Sequence, residues 1–111
     1  MYSYFINKRL FRTKSNRLQL SISLAWPNYG TVCNIIQTSV SVEVMADKTA
    51  EMVKEARQFL DISPYVTIKL PITEDGLHAC KILSSESIAV NMTLCFSASQ
   101  ALLAAKAGAT Y

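Results

Sequence analysis

From about residue 40 the chain alternates short β-like runs with longer helical patterns, and this rhythm limits what it can fold into more than any other feature. Three strands are expected, Val40 to Met45, Val66 to Leu70 and Ala89 to Leu94, each rich in β-branched or aliphatic residues. Tyr111 stands where a fourth would begin. Between the first two strands, Met52, Val53, Ala56, Phe59 and Leu60 make the apolar stripe of a helix, with Asp47 or Thr49 as its N-cap. Between the second and third, Thr73 is suited to cap a helix. Its first turn holds Glu74 and Asp75, acids favoured there by the helix dipole, and its Leu77, Cys80 and Leu83 face inward. After the third strand, Ser97 or Ser99 opens an alanine- and leucine-rich helix that Gly108 closes.

Helices between successive strands make the sheet parallel, so the expected fold class is α/β. Glu43, Lys69 and Thr93 recur at similar separations, close to the roughly 30 residues per unit of an eight-unit barrel of about 250 residues. The expected architecture is a partial (β/α)8 TIM barrel of about three βα units. A barrel closes only when strand number, tilt and shear agree, so missing units would leave sheet edges and an apolar face uncovered. The chain therefore reads as truncated.

Residues 1–30 do not continue the rhythm. Lys8, Arg9, Arg12, Lys14 and Arg17 precede the first acid, Glu43, whereas from Glu43 onward six basic residues meet eight acidic ones. Three readings stay open for this unmatched basic segment: a loosely ordered arm, a transit-type segment, or the product of a disrupted reading frame. Residues 31–111 form the expected barrel piece, beginning with the end of a further helix at residues 31–37.

With 50% hydrophobic and 17% charged residues, the composition is that of a chain with a packed interior, not a disordered or nucleic-acid-coating one. No apolar run reaches the roughly 20 residues a membrane-spanning helix requires. Neither nucleic acid nor membrane is expected as a partner. Cys33, Cys80 and Cys95 show no CxxC spacing, and only His78 could join them, so no metal is expected and reduced thiols in a cytoplasmic setting are the default. His78 has the simpler reading of a solvated surface residue, and Cys95 that of a small packed thiol beside Thr93.

Side chains alternate faces along a strand. Val42 and Val44 share one face while Ser41, Glu43 and Met45 take the other; Val66, Ile68 and Leu70 oppose Thr67 and Lys69; Val90, Met92 and Leu94 oppose Asn91 and Thr93. One face is aliphatic and the other carries Glu, Lys, Asn and Thr. In an antiparallel sheet with one wet face these would be mere solubilising residues. Parallel sheets are covered on both faces, so the polar set is expected to point into the barrel. A lysine there loses hydration, which favours the neutral, nucleophilic amine, although a nearby Glu43 carboxylate partly opposes this. Such an amine attacks ketones to give a carbinolamine and then a Schiff base, provided an acid/base group and a placed water move the protons. Glu43 and Thr93 are suitable for those tasks.

The runs SVEVMADKTAEMVKEA, VTIKLPITEDGLHACKIL and AVNMTLCFSASQALLAAKAGATY resemble the central portion of transaldolases, especially the short microbial subfamily that includes fructose-6-phosphate aldolase. The resemblance implies Lys69 as the Schiff-base lysine, Glu43 as the strand-borne catalytic acid, Thr93 as the residue orienting the catalytic water, and Asn91 as a hydrogen-bond partner of the bound ketose. Glutamate at 43 and asparagine at 91 favour transaldolase over the aldolases, which typically carry glutamine at the first position and lack the asparagine. The implied reaction transfers a dihydroxyacetone unit from a ketose phosphate to an aldose phosphate in the pentose phosphate pathway, without metal or other cofactor. An aspartate on the family's first strand and an asparagine-bearing loop after its second have no recognisable counterpart here. The arginine that grips substrate phosphate belongs to the segment after the sixth strand. Two other outcomes stay open. One is a catalytically inactive fragment or assembly partner, a homo-oligomer included; the other is a fructose-6-phosphate aldolase-like lyase.

Overall fold

Branched and aliphatic residues at alternate strand positions need cover, and the helices between the strands supply it on one side of the sheet. The computed structural model describes Phe11–Arg12, Leu18–Ser21, Ile35 and residues 37–111. The strands β1 (Phe11–Arg12), β2 (Leu18–Ser21), β3 (Val40–Glu43), β4 (Val66–Pro71) and β5 (Val90–Thr93) lie in chain order in one sheet. β1 pairs antiparallel with β2, and every other neighbouring pair is parallel. Helices α1 (Thr49–Leu60) and α2 (Glu74–Ser85) make the crossovers from β3 to β4 and from β4 to β5, and α3 (Ala98–Ala107) follows β5. The architecture is α/β, three βα units of a partial (β/α)8 barrel.

The aliphatic face packs as the alternation predicts. Val40, Val42, Val66, Ile68, Leu70, Val90 and Met92 are buried against Met52, Val53, Ala56 and Phe59 of α1 and Ala79, Cys80 and Leu83 of α2. Fully burying an aliphatic side chain of this size contributes about 1.5–3 kcal/mol. Burial also pushes the Cys80 thiol up, which keeps it a packing residue. His78 is on the surface, as expected. Beyond β5, Tyr111 donates its backbone N–H to Val90 O (3.2 Å) and accepts from Met92 N (3.1 Å), the parallel ladder pattern of a next strand on that edge.

β1 and β2 fall within residues 1–30, and β2 pairs with β3 through Leu20↔Val40 and Ser21↔Ser41. The rest of that segment, and the expected helix end at 31–37 apart from Ile35 and Gln37, lie outside the described residues.

Two local expectations are corrected. Leu94 does not close the aliphatic face: β5 ends at Thr93, and Leu94 takes a left-handed φ of 62° that turns it outward, leaving it 58% exposed. The N-cap of α1 is neither Asp47 nor Thr49 but Lys48, whose side chain makes no capping bond. One orphan donor at this helix start is instead met from the neighbouring helix: Asp75 Oδ1 accepts from Thr49 N (3.0 Å), and it also accepts from Thr49 Oγ1 (2.7 Å). The other two N-caps and the C-cap of α3 are local and fall on expected residues. Thr73 Oγ1 accepts from Gly76 N (3.0 Å), Ser97 and Gln100 form a capping box, and Gly108 ends α3 at φ 95°.

Asp75 thus fastens one crossover to the next. Its two bonds from Thr49, with lesser help from Lys48, hold its carboxyl at about 2 against an ordinary 3.8. Because the folded value is the lower one, the resulting stability is fully present above the unfolded value and is lost as pH falls through the folded one. Asp75→Ala is therefore expected to lower the urea midpoint near neutral pH. The gap from wild type should close between about pH 4 and pH 2, a trend that urea titrations across that window read directly.

Candidate active site

The site lies on the polar face, where the ends of adjacent parallel strands bring complementary groups level. The β3–β4 register pairs Ser41 with Thr67 and Glu43 with Lys69, and the β4–β5 register pairs Lys69 with Asn91 and Pro71 with Thr93. Glu43, Lys69 and Asn91 therefore form one row across three strands, with Thr93 two residues further along the same side of β5.

Lys69 Nζ donates to Glu43 Oε2 at 3.2 Å, and the two side chains are 20% and 37% exposed. The amine is thus largely sheltered while its carboxylate partner opens toward solvent. Asn91 Nδ2 donates to Ser41 Oγ at 3.1 Å, reaching across the intervening β4. Strands two apart in a flat sheet are separated by about 9.5 Å, so a direct contact between such short side chains fits a sheet curled toward this face, as a barrel interior is. Below this row, Ser39 and Thr67 share a 2.7 Å hydroxyl contact, while Ser41 and Thr67 are buried. The Thr93 side chain is half-buried, and its hydroxyl has no hydrogen-bond partner among the described residues. Its backbone carbonyl accepts from Ile72 N at 3.0 Å, which fixes the end of β5 to the loop after Lys69.

All four residues singled out from the sequence share this face. Lys69 and Glu43 touch, and Asn91 stands level with Lys69. Thr93 follows at the strand end. A cavity of roughly 310 Å³ adjoins the row, lined by Glu43 and the loop that follows it, by Met52, and by Pro71 and Thr73. Its wall includes Glu43 but not Lys69. Cys95 is exposed in the loop beyond β5, rather than packed beside Thr93. Among the described residues no three His, Cys, Asp or Glu side chains gather as a metal cage would need. Nor, among them, is any helix long and apolar enough to cross a membrane.

Sequence reasoning missed Ser39, whose hydroxyl carries no signal of its own, and Glu55, whose carboxylate accepts from the backbone of Met45 and Ala46 just past Glu43. The strand alternation was the signal for Ser41.

Fold and strand-end site together define an α/β-barrel protein with its polar groups on the inner face. The profile of the Transaldolase/Fructose-6-phosphate aldolase family matches residues 3–111, and the chain belongs to that family. A probable transaldolase of Paracoccus denitrificans (strain Pd 1222) is 54% identical over 80 residues, covering 72% of this chain and 37% of that protein. One of Brucella anthropi is 59% identical over 80 residues, again 72% of this chain and 37% of the relative. The chain thus spans little more than a third of the length of these relatives.

Proposed function

We propose that Lys69 is the Schiff-base lysine of a transaldolase-type transferase that carries a dihydroxyacetone unit from a ketose phosphate to an aldose phosphate, a reaction of the pentose phosphate pathway in the cytoplasm. The observation that carries this reading is the 3.2 Å contact between Lys69 Nζ and Glu43 Oε2 at the C-terminal ends of two neighbouring parallel strands, the end at which barrel enzymes gather their chemistry.

Glu43 takes a proton from the ammonium, and the freed amine adds to the C2 carbonyl of the ketose, giving a carbinolamine. Glu43 then returns the proton to the carbinolamine oxygen, which leaves as water while the C=N bond of the Schiff base forms. The Thr93 hydroxyl, two residues past Asn91, serves to hold that water for the return step. Asn91, level with Lys69 in the neighbouring strand, hydrogen-bonds the ketose in this reading. Cleavage of the C3–C4 bond, with loss of the C4 hydroxyl proton, releases an aldose phosphate and leaves the bond's electron pair in the C2–C3 enamine on Lys69. The enamine adds to the acceptor aldehyde, whose oxygen takes up a proton, and water hydrolyses the resulting Schiff base to free the new ketose phosphate and the amine.

Transfer is separable from aldol cleavage by supplying fructose 6-phosphate with and without an aldose phosphate acceptor. The transferase reading expects a new ketose phosphate only when acceptor is present and little free dihydroxyacetone without it. Steady release of dihydroxyacetone without acceptor would establish the lyase instead, and no product in either arm would point to an inactive fragment or assembly partner.

A further inference from the structure

We propose that Glu55, on α1, is a positioning residue for Glu43. This rests on the reading of Lys69 and Glu43 given above and extends it to a residue outside the row. Glu43 is the last residue of β3, and a strand end is where side-chain placement is ordinarily loosest. Here the backbone is held on both sides of it. Val44 N donates to Lys69 O at 3.2 Å, tying the exit of β3 to the residue that carries the amine. Immediately beyond, the Glu55 carboxylate accepts from Met45 N through both oxygens at 3.2 Å and from Ala46 N at 3.0 Å. These two amides have left the sheet ladder, and a carboxylate is the acceptor best able to hold two N–H groups together.

The post itself is rigid. Met52, Val53, Ala56 and Phe59 bury α1 on either side of Glu55, and the Asp75–Thr49 contacts fix the start of the helix. Glu43 is therefore attached to a short backbone segment whose two ends are fastened to different elements, and its side chain is directed at Lys69. The same loop walls the cavity beside the row, so its placement also sets the shape of the space open to a substrate. Catalytic groups need such support, because a misplacement of about 1 Å costs on the order of 10²-fold in rate.

The test compares wild type with Glu55→Ala and Glu55→Gln. Amide hydrogen exchange is read at Met45 and Ala46, with Ile68 in β4 as the reporter of an intact core, and borohydride trapping of dihydroxyacetone on Lys69 is measured as a function of dihydroxyacetone concentration. In Glu55→Ala, exchange at Met45 and Ala46 is expected to rise with Ile68 unchanged. The trapping rate should fall about tenfold or more with the half-saturating concentration unmoved. Glu55→Gln, which keeps one acceptor oxygen, should fall between. Faster exchange with an unchanged trapping rate would overturn the proposal, as would unchanged exchange. If wild type itself forms no adduct, it is the Lys69 reading that fails, and the side-chain carboxyl ¹³C resonance of Glu43 then decides the positioning claim. A displacement of that resonance in Glu55→Ala matching the one caused by Lys69→Met supports the proposal, and an unmoved resonance overturns it.

Discussion

Replacing Glu43 with glutamine is expected to slow Schiff-base formation on Lys69 by about 10²–10⁴-fold, the range over which a positioned acid/base group contributes. Glutamine keeps the shape of the side chain and still offers Lys69 an acceptor oxygen, so the geometry at 3.2 Å can persist. What it cannot do is take the ammonium proton and return it to the carbinolamine oxygen. The effect should fall on the rate at saturating dihydroxyacetone, because Glu43 is assigned proton transfer and the ketose is held elsewhere, at Asn91. Folding should be little changed, since the Glu43 side chain is 37% exposed and sits outside the apolar core. Single-turnover trapping of both proteins makes the comparison, and equal rates would remove Glu43 from the proton path.

The second large effect is structural and lies just beyond β4, at Gly76. Gly76 is buried in the first turn of α2, and a Cβ built there would overlap the Pro71 carbonyl oxygen and press on the Thr73 hydroxyl that caps the helix. In an open helix, Gly→Ala gains about 1 kcal/mol from propensity. At this position the neighbour is backbone and cannot rotate away, so α2 must lift from the end of β4. We expect Gly76→Ala to lose about 1–3 kcal/mol net, the scale of an overpacked core with little compensation. Lifting α2 also disturbs the Thr73 N to Pro71 O bond (2.9 Å) that shapes the loop after Lys69. Denaturant unfolding measures the loss, and a variant as stable as wild type would show that the helix start can shift at no cost.

The sequence makes the layers and the shared polar face legible because both follow from periodicity. Alternation along VSVEVM, VTIKL and AVNMTL puts Glu43, Lys69, Asn91 and Thr93 on one side, and the helical stripes of Met52 to Leu60 and Leu77 to Leu83 put the core on the other. Periodicity says nothing about contacts between elements far apart in the chain. Asp75 looks like an acid suited to the dipole of its own helix, yet it caps the preceding one, 26 residues back. Glu55 looks like one more charge on an amphipathic helix, and its reach to Met45 and Ala46 depends on how α1 folds back over the end of β3. Leu94 continues an alternating run in sequence, but its left-handed backbone ends the strand before it. Leu18, Leu20, Ile22 and Leu24 alternate with Gln19, Ser21 and Ser23, a strand-like period, but nothing in that short run signals that it pairs parallel with β3.

The proposed reaction depends on the Lys69 amine being the group that bonds to the ketose. Incubation with dihydroxyacetone, reduction with borohydride and peptide mass spectrometry tests this most directly. The prediction is a single reduced three-carbon adduct on the peptide containing Lys69, lost in Lys69→Met. An adduct spread over surface residues such as Lys48, Lys54 and Lys81, or one that survives in Lys69→Met, would contradict it.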